Sequence, residues 1–554
     1  MFDRFRNIKK EYDIIIIGGG IYGATLLWEA TLNNLSAILV EKNDFCSATS
    51  ANSLKIIHGG LRYLQNFDLK RIRESSRELQ VFINILPNLI HALPCVIPTY
   101  PRLKRSKLAF RLALRLYDLI SFHGNAEFGF ENEIPLGNVI SLEEYRRLIE
   151  SLDLPGISGG ALWYDALNYN SERSALAFIF SSIHRGADAF NYLELKNLIV
   201  RNNRAIGIKA HDNLLGQDIE VFGKTIVNAT GPWINTVNRH MSVDWKKSQF
   251  YFTKAVNLVI DRFFSDFAFG LQINRSIDDI NESDRYLFFV PWRGATMIGT
   301  WYFSHRSSPD DLSLTEKELN DCINQIKNIF PDTDIAKDSV CFVHAGLVPV
   351  VQRPNMKSFE LKGRHSLIDH SLHGGPDGVI SVLGVKYTTA RSEAVETIKY
   401  VSQKLGKDIN SIKFKISPLI GGDIKSFDNF LQTKRKNNKH NLSNKTIKHL
   451  SLNYGTIYNN IVDLISDSDE LGELIPGSDE AIKAELRYCI KNEFAYKLPD
   501  LILRRTDIGT LKKPSDETIN FCADFMGKEI GWSDSEKKDQ KNLLIEIYSR
   551  FPQN

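Results

Sequence analysis

The feature that most constrains the fold is a glycine-rich turn between a short apolar strand and a helix. Residues 12–17 form an apolar, β-branched run that ends at the sequence Gly18-Gly19-Gly20-Ile21-Tyr22-Gly23. A helical pattern follows over residues 24–33, and a second predicted strand over residues 36–40 ends at Glu41. A strand, a glycine-rich turn, a helix and a strand within about 30 residues indicate a βαβ unit of an α/β fold.

The spacing of these glycines indicates a site for a pyrophosphate. Gly18, Gly20 and Gly23 allow a tight turn and let the backbone approach a phosphate closely. The helix that follows directs its positive dipole end and its unpaired N–H groups at the same point. Glu41 can accept hydrogen bonds from the ribose of an adenosine. The pattern therefore predicts a dinucleotide site, but it does not distinguish NAD from FAD.

Size and composition exclude several classes of protein. A chain of 554 residues predicts two or three domains. Hydrophobic residues make up 43 % and charged residues 24 %, as in ordinary globular proteins, and the net charge of +3 with no long basic run argues against a nucleic-acid partner. None of the six cysteines forms a C-x-x-C pair, so we expect reduced thiols and no metal site. The N-terminus is no secretory signal and no apolar stretch reaches about 20 residues, so we expect a cytoplasmic protein.

A second region of interest, residues 98–122, is both basic and rich in leucine. Arg111 and Arg115 lie four residues apart, while leucines at 108, 112, 116 and 119 share another side of a predicted helix. One interpretation is a surface helix that packs on the protein's own core. The other is a basic amphipathic helix that lies on an anionic membrane, which would make the protein peripheral on the inner face of the cytoplasmic membrane.

Further motifs identify the cofactor. The segment of small hydroxyl residues at 47–53, SATSANS, can hydrogen-bond phosphates and let a flavin lie against backbone. It is followed by KIIHGGLRYL at 55–64, NATGPW at 228–233, VPWRGATMIGT at 290–300 and GVKYTTAR at 384–391. In this order the motifs resemble the FAD-dependent glycerol-3-phosphate dehydrogenases of the aerobic, quinone-linked type. The resemblance covers about residues 12–423 and resumes over residues 492–506.

The resemblance implies an α/β fold with three parts. These are a Rossmann-like FAD-binding domain of the D-amino-acid-oxidase type, an interleaved β-rich substrate domain and a C-terminal helical domain. We expect the FAD-binding domain at 1–90, 161–245 and 341–424, a substrate- or membrane-facing part at 91–160, the β-rich domain at 246–340 and the helical domain at 425–554. The family's activity is oxidation of glycerol 3-phosphate at C2 to dihydroxyacetone phosphate, with electrons passing to a quinone. A homodimer is a further expectation.

The same resemblance assigns roles to individual residues. The residues expected to hold FAD are Gly18, Gly20, Gly23, Glu41, Thr49, Ser50, Ser53, Thr230, Gly231, Gly384 and Thr388. The residues expected to face a small anionic substrate are Arg62, Tyr63, Asn257, Trp301, Val348, Arg364 and Lys386. A phosphate beside a flavin needs converging cations, and arginine binds it through two N–H groups. The expected catalytic residues are His58, Arg62, His344 and Lys386, with the two histidines as candidate bases.

The substrate site departs from the family pattern at three places. Val348 stands where the family has an arginine, and Asn257 stands where it has a histidine. The family's Gly-Thr-Thr-Asp becomes Gly299-Thr300-Trp301-Tyr302. Losing a phosphate-binding arginine would cost about 2–5 kcal/mol if nothing replaced it. The substrate therefore stays open between glycerol 3-phosphate and a larger anion that stacks on Trp301, another polyol phosphate, a 2-hydroxy acid or an amine. A flavin-binding protein without turnover is the remaining alternative.

Overall fold

The computed structural model describes residues 4–102, 105–125, 134–149, 154–239, 249–262, 264–272, 286–331, 333–351, 360–408 and 416–551. The strands are β1 (Tyr12–Ile17), β2 (Ala37–Val40), β3 (Ile56–Ile57), β4 (Ile90–Thr99), β5 (Asn138–Ile140), β6 (Gly159–Asn168), β7 (Asp188–Phe190), β8 (Leu193–Arg201), β9 (Arg204–Asp212), β10 (Gln217–Asn228), β11 (Tyr251–Ile260), β12 (Ala268–Gln272), β13 (Tyr286–Trp292), β14 (Ala295–Ser304), β15 (Val340–Val351), β16 (Glu360–Leu361), β17 (Ser366–Asp369) and β18 (Val379–Leu383). The α-helices are α1 (Ile21–Leu32), α2 (Leu69–Ile85), α3 (Lys107–Asn125), α4 (Leu142–Leu148), α5 (Ser171–His184), α6 (Ile234–Arg239), α7 (Glu316–Ile329), α8 (Ala390–Lys404), α9 (Phe427–Lys436), α10 (Asn444–Tyr454), α11 (Tyr458–Val462), α12 (Lys483–Asn492), α13 (Leu498–Asp500), α14 (Asp516–Ile530) and α15 (Asp534–Ser549).

The first sheet is the predicted dinucleotide-binding sheet. Its order is β17-β18-β10-β1-β2-β7, and the pairs from β18 to β7 are parallel. Every residue of β1 and β2 is buried, as expected for parallel strands covered on both faces. Helices α5 and α8 both contact α1, and the buried apolar residues of the three helices share one cluster with residues of this sheet. The carboxyl ends of β18, β10, β1 and β2 therefore lie side by side along one edge.

A second, mixed sheet lies against that edge. Its order is β16-β15-β11-β14-β13-β12-β4-β6-β3, with β5 paired to β6. All its pairs are antiparallel except that between β4 and β12. The chain enters this sheet twice, at 56–168 and at 251–361, so the two domains are interleaved.

Two long strands of the second sheet extend past the predicted domain boundaries. Strand β6 pairs with β4, and β15 pairs with β11, although residues from 161 and from 341 were assigned to the FAD-binding domain. The two strands have ten and twelve residues. Because their apolar composition suits either sheet, composition alone could not show which sheet they join. The boundary predicted between 245 and 246 lies outside the described residues.

The C-terminal residues form helices α9 to α15, which pack around one apolar cluster. Buried ion pairs, among them those of Arg504 and Arg505 with Asp44, join them to the FAD-binding domain. Arg505 donates to both oxygens of Asp44 at 2.8 Å, and Arg173 pairs with Glu493. Asp44 follows Glu41 by three residues, so the arginines hold the loop after β2 in place.

Helix α3 presents an apolar stripe to solvent. Leu108, Leu112 and Leu119 are each more than half exposed, and Leu116 is 39 % exposed. The opposite face of the helix, which includes Leu114, is buried. One side of the helix therefore packs on the core, as the first interpretation predicted, and the leucine stripe on the other side is exposed. No helix among the described residues is long and apolar enough to cross a membrane.

Candidate active site

A cavity of about 980 Å³ lies between the two sheets. One wall is formed by the residues that end the parallel strands, including Ile17, Val40 and Leu383. The opposite wall comes from β11, β14 and β15 of the second sheet. Ligands of open α/β sheets bind at the carboxyl ends of the strands, so this is the expected place for a dinucleotide.

Bare backbone lines the dinucleotide side of the cavity. Gly18 has a φ of +105°, and a Cβ there would lie 2.8 Å from the Ala229 carbonyl oxygen. A Cβ on Gly23 would lie 1.8 Å from the Gly18 carbonyl oxygen, so Gly23 lets α1 cross close to the turn. Gly20 is the N-cap of α1 and brings no side chain of its own to cap this helix. The first turn of α1 therefore faces the cavity with its backbone accessible, as a pyrophosphate requires.

Polar groups complete this side of the cavity. Glu41 accepts the N–H groups of Gly19 at 2.7 Å and Asn43 at 2.8 Å, which fixes its carboxylate at the end of β2. Burial raises the pKa of this carboxyl. Ser50 Oγ accepts the N–H of Ile21 at 2.9 Å. These residues fit the adenosine and pyrophosphate parts of FAD.

The other residues predicted to hold FAD also line the cavity, except Gly23. They are Thr49, Ser53, Thr230, Gly231, Gly384 and Thr388. Thr49 exchanges hydrogen bonds with the backbone of Leu347 and thereby joins the loop after β2 to β15. A Cβ on Gly384 would lie 1.6 Å from the ring of Tyr22, so only glycine fits beneath that ring.

Cationic side chains face the same cavity. Arg62, Tyr63 and Lys386 line it, and the Lys386 ammonium lies 4.2 Å from the centroid of the Tyr63 ring. The pKa of Lys386 is lowered to about 8, chiefly by burial and also by the charge of Arg62, while the charge of Glu393 opposes the change. This cluster suits a small anion held beside the dinucleotide.

His58 lies in the same wall, on the turn that precedes Arg62. Its Nδ1 is 2.9 Å from Oδ2 of Asp165 on β6, a residue that is not among the predicted site residues. Thr388 Oγ1 accepts the backbone N–H of His58, which links this turn to the end of β18. The sequence offers one signal for Asp165, a carboxylate within an otherwise apolar strand.

Two of the departures from the family pattern lie in the cavity wall. Val348 and Asn257 both line it, and Asn257 is held by a hydrogen bond from Thr300 Oγ1 at 2.8 Å. Tyr302 lines the cavity as well. Lys362, a cation that is not among the predicted site residues, also lines the cavity. Its backbone N–H donates to the carbonyl of Pro349, the neighbour of Val348.

Three of the residues predicted to bind the substrate or to act in catalysis are not in the cavity wall. Trp301 is fully buried on the other face of β14, where its indole N–H donates to Gln325, because successive residues of a strand point to opposite faces. The Arg364 side chain is 68 % exposed and lies 3.9 Å from the Asp68 carboxylate. The prediction that a substrate stacks on Trp301 is therefore wrong. Arg364 lies on the surface beside the cavity.

His344, the third of these residues, is buried behind the wall. Its Nδ1 lies 3.1 Å from Asn52 Oδ1 and its Nε2 lies 3.2 Å from the Thr510 carbonyl. Burial lowers its pKa well below the usual value. Since both ring nitrogens have protein partners, His344 is not placed to accept a proton from a ligand, and His58 is the better candidate base.

Helix α3 borders the cavity on its buried side. Phe110, Ala113 and Leu114 line the cavity and give this end an apolar surface. Tyr117 of the same helix lies against the His58 turn, because a Cβ on Gly59 would be 2.1 Å from its hydroxyl. One helix thus contacts both the solvent and the turn that carries His58.

Outside the cavity, the described residues contain one group of possible metal ligands, His449, Glu480 and Asp507. Arg293 already pairs with Asp507 at 3.1 Å, and Glu485 pairs with His449 at 2.8 Å. Burial alone would lower the pKa of His449, but Glu485 and Asp507 raise it well above its usual value. The group is an ion-pair network that joins the helical domain to the β13–β14 turn.

Comparison with known proteins agrees with this architecture. The model of the FAD dependent oxidoreductase family matches residues 13–386, and the model of the C-terminal domain of alpha-glycerophosphate oxidase matches residues 415–537. A Synechocystis glycerol-3-phosphate dehydrogenase is 30 % identical over 506 residues, which is 90 % of this chain and 89 % of that protein. An aerobic glycerol-3-phosphate dehydrogenase of Bacillus subtilis is 26 % identical and covers 97 % of this chain and 94 % of its own length.

A solved structure shows the same fold. The glycerol-3-phosphate dehydrogenase of Bacillus halodurans, complexed with FAD, superposes with a TM-score of 0.74 at 21 % identity and covers 98 % of this chain and 95 % of its own. The glycine cradle, the fixed Glu41 and the parallel sheet edge agree with FAD as the cofactor of this chain. The chain is an FAD-dependent oxidoreductase and belongs to the family of glycerol-3-phosphate dehydrogenases.

Proposed function

We propose that this enzyme oxidises the secondary alcohol of glycerol 3-phosphate to dihydroxyacetone phosphate. The observation that carries the proposal is the position of Arg62, Lys386 and His58 in one cavity with the glycine cradle. The relatives that match nearly the whole chain are named for the same substrate. When bound, FAD supplies the acceptor for the hydride that leaves the carbinol carbon.

The chain's own residues would bind and orient the substrate. Arg62 and Lys386 would hold the phosphate, because two converging cations offset its charge in a partly buried site. Lys362 would supply charge near Val348, where the family has arginine. His58 would take the hydroxyl proton through a ring nitrogen that faces the cavity.

Anaerobic mixing with glycerol 3-phosphate tests the proposal. We expect the flavin absorbance of the purified holoenzyme to bleach rapidly with this substrate and not with glycerol. Bleaching only with other polyol phosphates, 2-hydroxy acids or amines would favour a different substrate, for which Val348, Asn257 and Tyr302 in the wall are the supporting observation. Absence of bleaching with every donor, despite bound FAD, would favour a flavin-binding protein without turnover.

We further propose that α3 places the enzyme on the inner face of the cytoplasmic membrane. Four partly exposed leucines lie beside the exposed Arg111 and Arg115, which is the arrangement of an interfacial helix. The buried side of α3 lines the cavity with Phe110, Ala113 and Leu114. An apolar electron acceptor such as a quinone would reach the cavity along this side.

Vesicle binding tests the membrane proposal. We expect the holoenzyme to co-sediment with anionic vesicles and to be released at high salt, because salt screens surface charges. Replacing Arg105, Lys107, Arg111 and Arg115 with Gln should abolish co-sedimentation. Replacing Ile545, an exposed apolar residue of α15, with Gln is the control and should change nothing. Equal sedimentation of the wild type and the quadruple variant would contradict the proposal.

A further inference from the structure

The turn that carries His58 and strand β6 meet at a paired imidazole and carboxylate. Asp165 is 107 positions further along the chain, and its Oδ2 lies 2.9 Å from Nδ1 of His58. The Asp165 side chain is 4 % exposed, whereas that of His58 is 53 % exposed. The carboxylate is therefore buried behind an imidazole that faces the cavity.

The second oxygen of Asp165 is also held. Its Oδ1 accepts the backbone N–H of Gly59 at 2.8 Å, so both oxygens contact the same turn. The rings of Phe288 and His58 pack in a T-shaped arrangement, with their centroids 6.4 Å apart. These contacts fix both the carboxylate and the plane of the imidazole.

This geometry determines which ring nitrogen can take a proton. A carboxylate only accepts hydrogen bonds, so Nδ1 of a neutral His58 must carry its hydrogen toward Asp165. The lone pair then lies on Nε2, the ring nitrogen remote from Asp165, and the exposed part of the ring faces the cavity.

We infer that Asp165 is the positioning residue of His58 in the oxidation proposed above. The hydroxyl proton of the substrate would move to Nε2, and bound FAD would accept the hydride that leaves the carbinol carbon as the carbinol becomes a carbonyl. Asp165 keeps the proton donor nitrogen of His58 turned away from the substrate and stabilises the imidazolium that forms. The inference rests on the proposed function.

The substitution Asp165→Asn tests this role. If the Asn amide oxygen keeps the Gly59 N–H, its NH₂ group must donate to Nδ1, which moves the imidazole hydrogen to Nε2 and removes the acceptor. We expect the rate constant of anaerobic flavin reduction by glycerol 3-phosphate to fall about 100-fold. The FAD content and the Kd of dihydroxyacetone phosphate, measured from the flavin spectrum, should change less than about twofold.

A double-mutant comparison separates positioning from structural support. Because Asp165 acts through His58, His58→Ala and His58→Ala/Asp165→Asn should reduce flavin at the same rate within about twofold. Asp165→Glu, which retains a carboxylate, should recover part of the rate lost in Asp165→Asn. Asp212→Asn is the matched control, since Asp212 is also buried and accepts a backbone N–H at 2.8 Å outside the cavity, and its rate should equal that of the wild type.

Each outcome decides one claim. If glycerol 3-phosphate does not reduce the wild-type flavin, the proposed function fails and the inference fails with it. If the wild type is reduced but Asp165→Asn reacts at the same rate, or its effect adds to that of His58→Ala, the inference alone fails. Loss of FAD in both Asp165 variants would show a structural role and would also overturn it.

Discussion

The buried ammonium of Lys386 makes the pH dependence of substrate capture a direct test of the site. Burial lowers the pKa of Lys386 to about 8, with Arg62 contributing and Glu393 opposing. A lysine with a lowered pKa loses its charge as the pH rises through that value. If the charged form holds the anion, capture of the substrate must weaken across pH 8.

The size of this effect follows from the pKa. With a pKa near 8, roughly nine-tenths of Lys386 is protonated at pH 7 and roughly one-tenth at pH 9. The value of kcat/KM, which reports ionisations of the free enzyme, should therefore fall about tenfold between pH 7 and pH 9. This is about 1.4 kcal/mol of transition-state stabilisation.

The measurement is kcat/KM for flavin reduction by glycerol 3-phosphate from about pH 6 to pH 10. Lys386→Arg serves as the control, because a guanidinium stays protonated over this range and its profile should show no fall between pH 7 and pH 9. A wild-type kcat/KM that is constant over this interval would refute the assignment of Lys386 as the titrating anion ligand.

Three further predictions address the cofactor, the substrate and the stability of the fold. Gly20→Val should give a folded but colourless protein, since Gly20 has a φ of −76° that valine tolerates, and the flavin absorbance with a thermal melt checks this. Val348→Arg should raise kcat/KM for glycerol 3-phosphate if the site prefers another anion; impairment of an already efficient enzyme would mean that another residue supplies the charge. Asp507→Asn should lower the free energy of unfolding by about 3–5 kcal/mol because it leaves Arg293 buried and unpaired, as denaturant titration would show. The exposed Asp218→Asn is its control, with an expected change under about 1 kcal/mol.

The sequence predicted best those parts of the fold that depend on local pattern. The βαβ unit, the strand at Val379–Leu383 and the helical C-terminal region are all present, because apolar runs and glycine spacing act within a few residues. The second sheet was predicted less well. Strands β6 and β15 pair with partners far along the chain, and apolar alternation does not say which sheet a strand joins.

The same contrast between local sequence patterns and contacts of distant residues applies to the candidate site. Gly18, Gly20 and Glu41 lie in a contiguous motif, and the structure places them together. Trp301 was predicted to face the substrate, but a strand points neighbouring side chains to opposite faces, and Tyr302 is the one that lines the cavity. Asp165 was missed for a related reason, since nothing local connects it to a histidine 107 positions earlier.

The contact between Tyr117 and the His58 turn would connect binding of helix α3 to a membrane with the candidate active site. The helix that exposes Leu108 and Leu112 also rests its tyrosine on the turn containing His58 and Gly59. If a bilayer displaces α3, the imidazole of His58 moves with it, and membrane binding and substrate binding become thermodynamically linked. Linkage is reciprocal, so a lipid surface that tightens substrate binding by some factor must itself be bound more tightly by that same factor when the substrate is present.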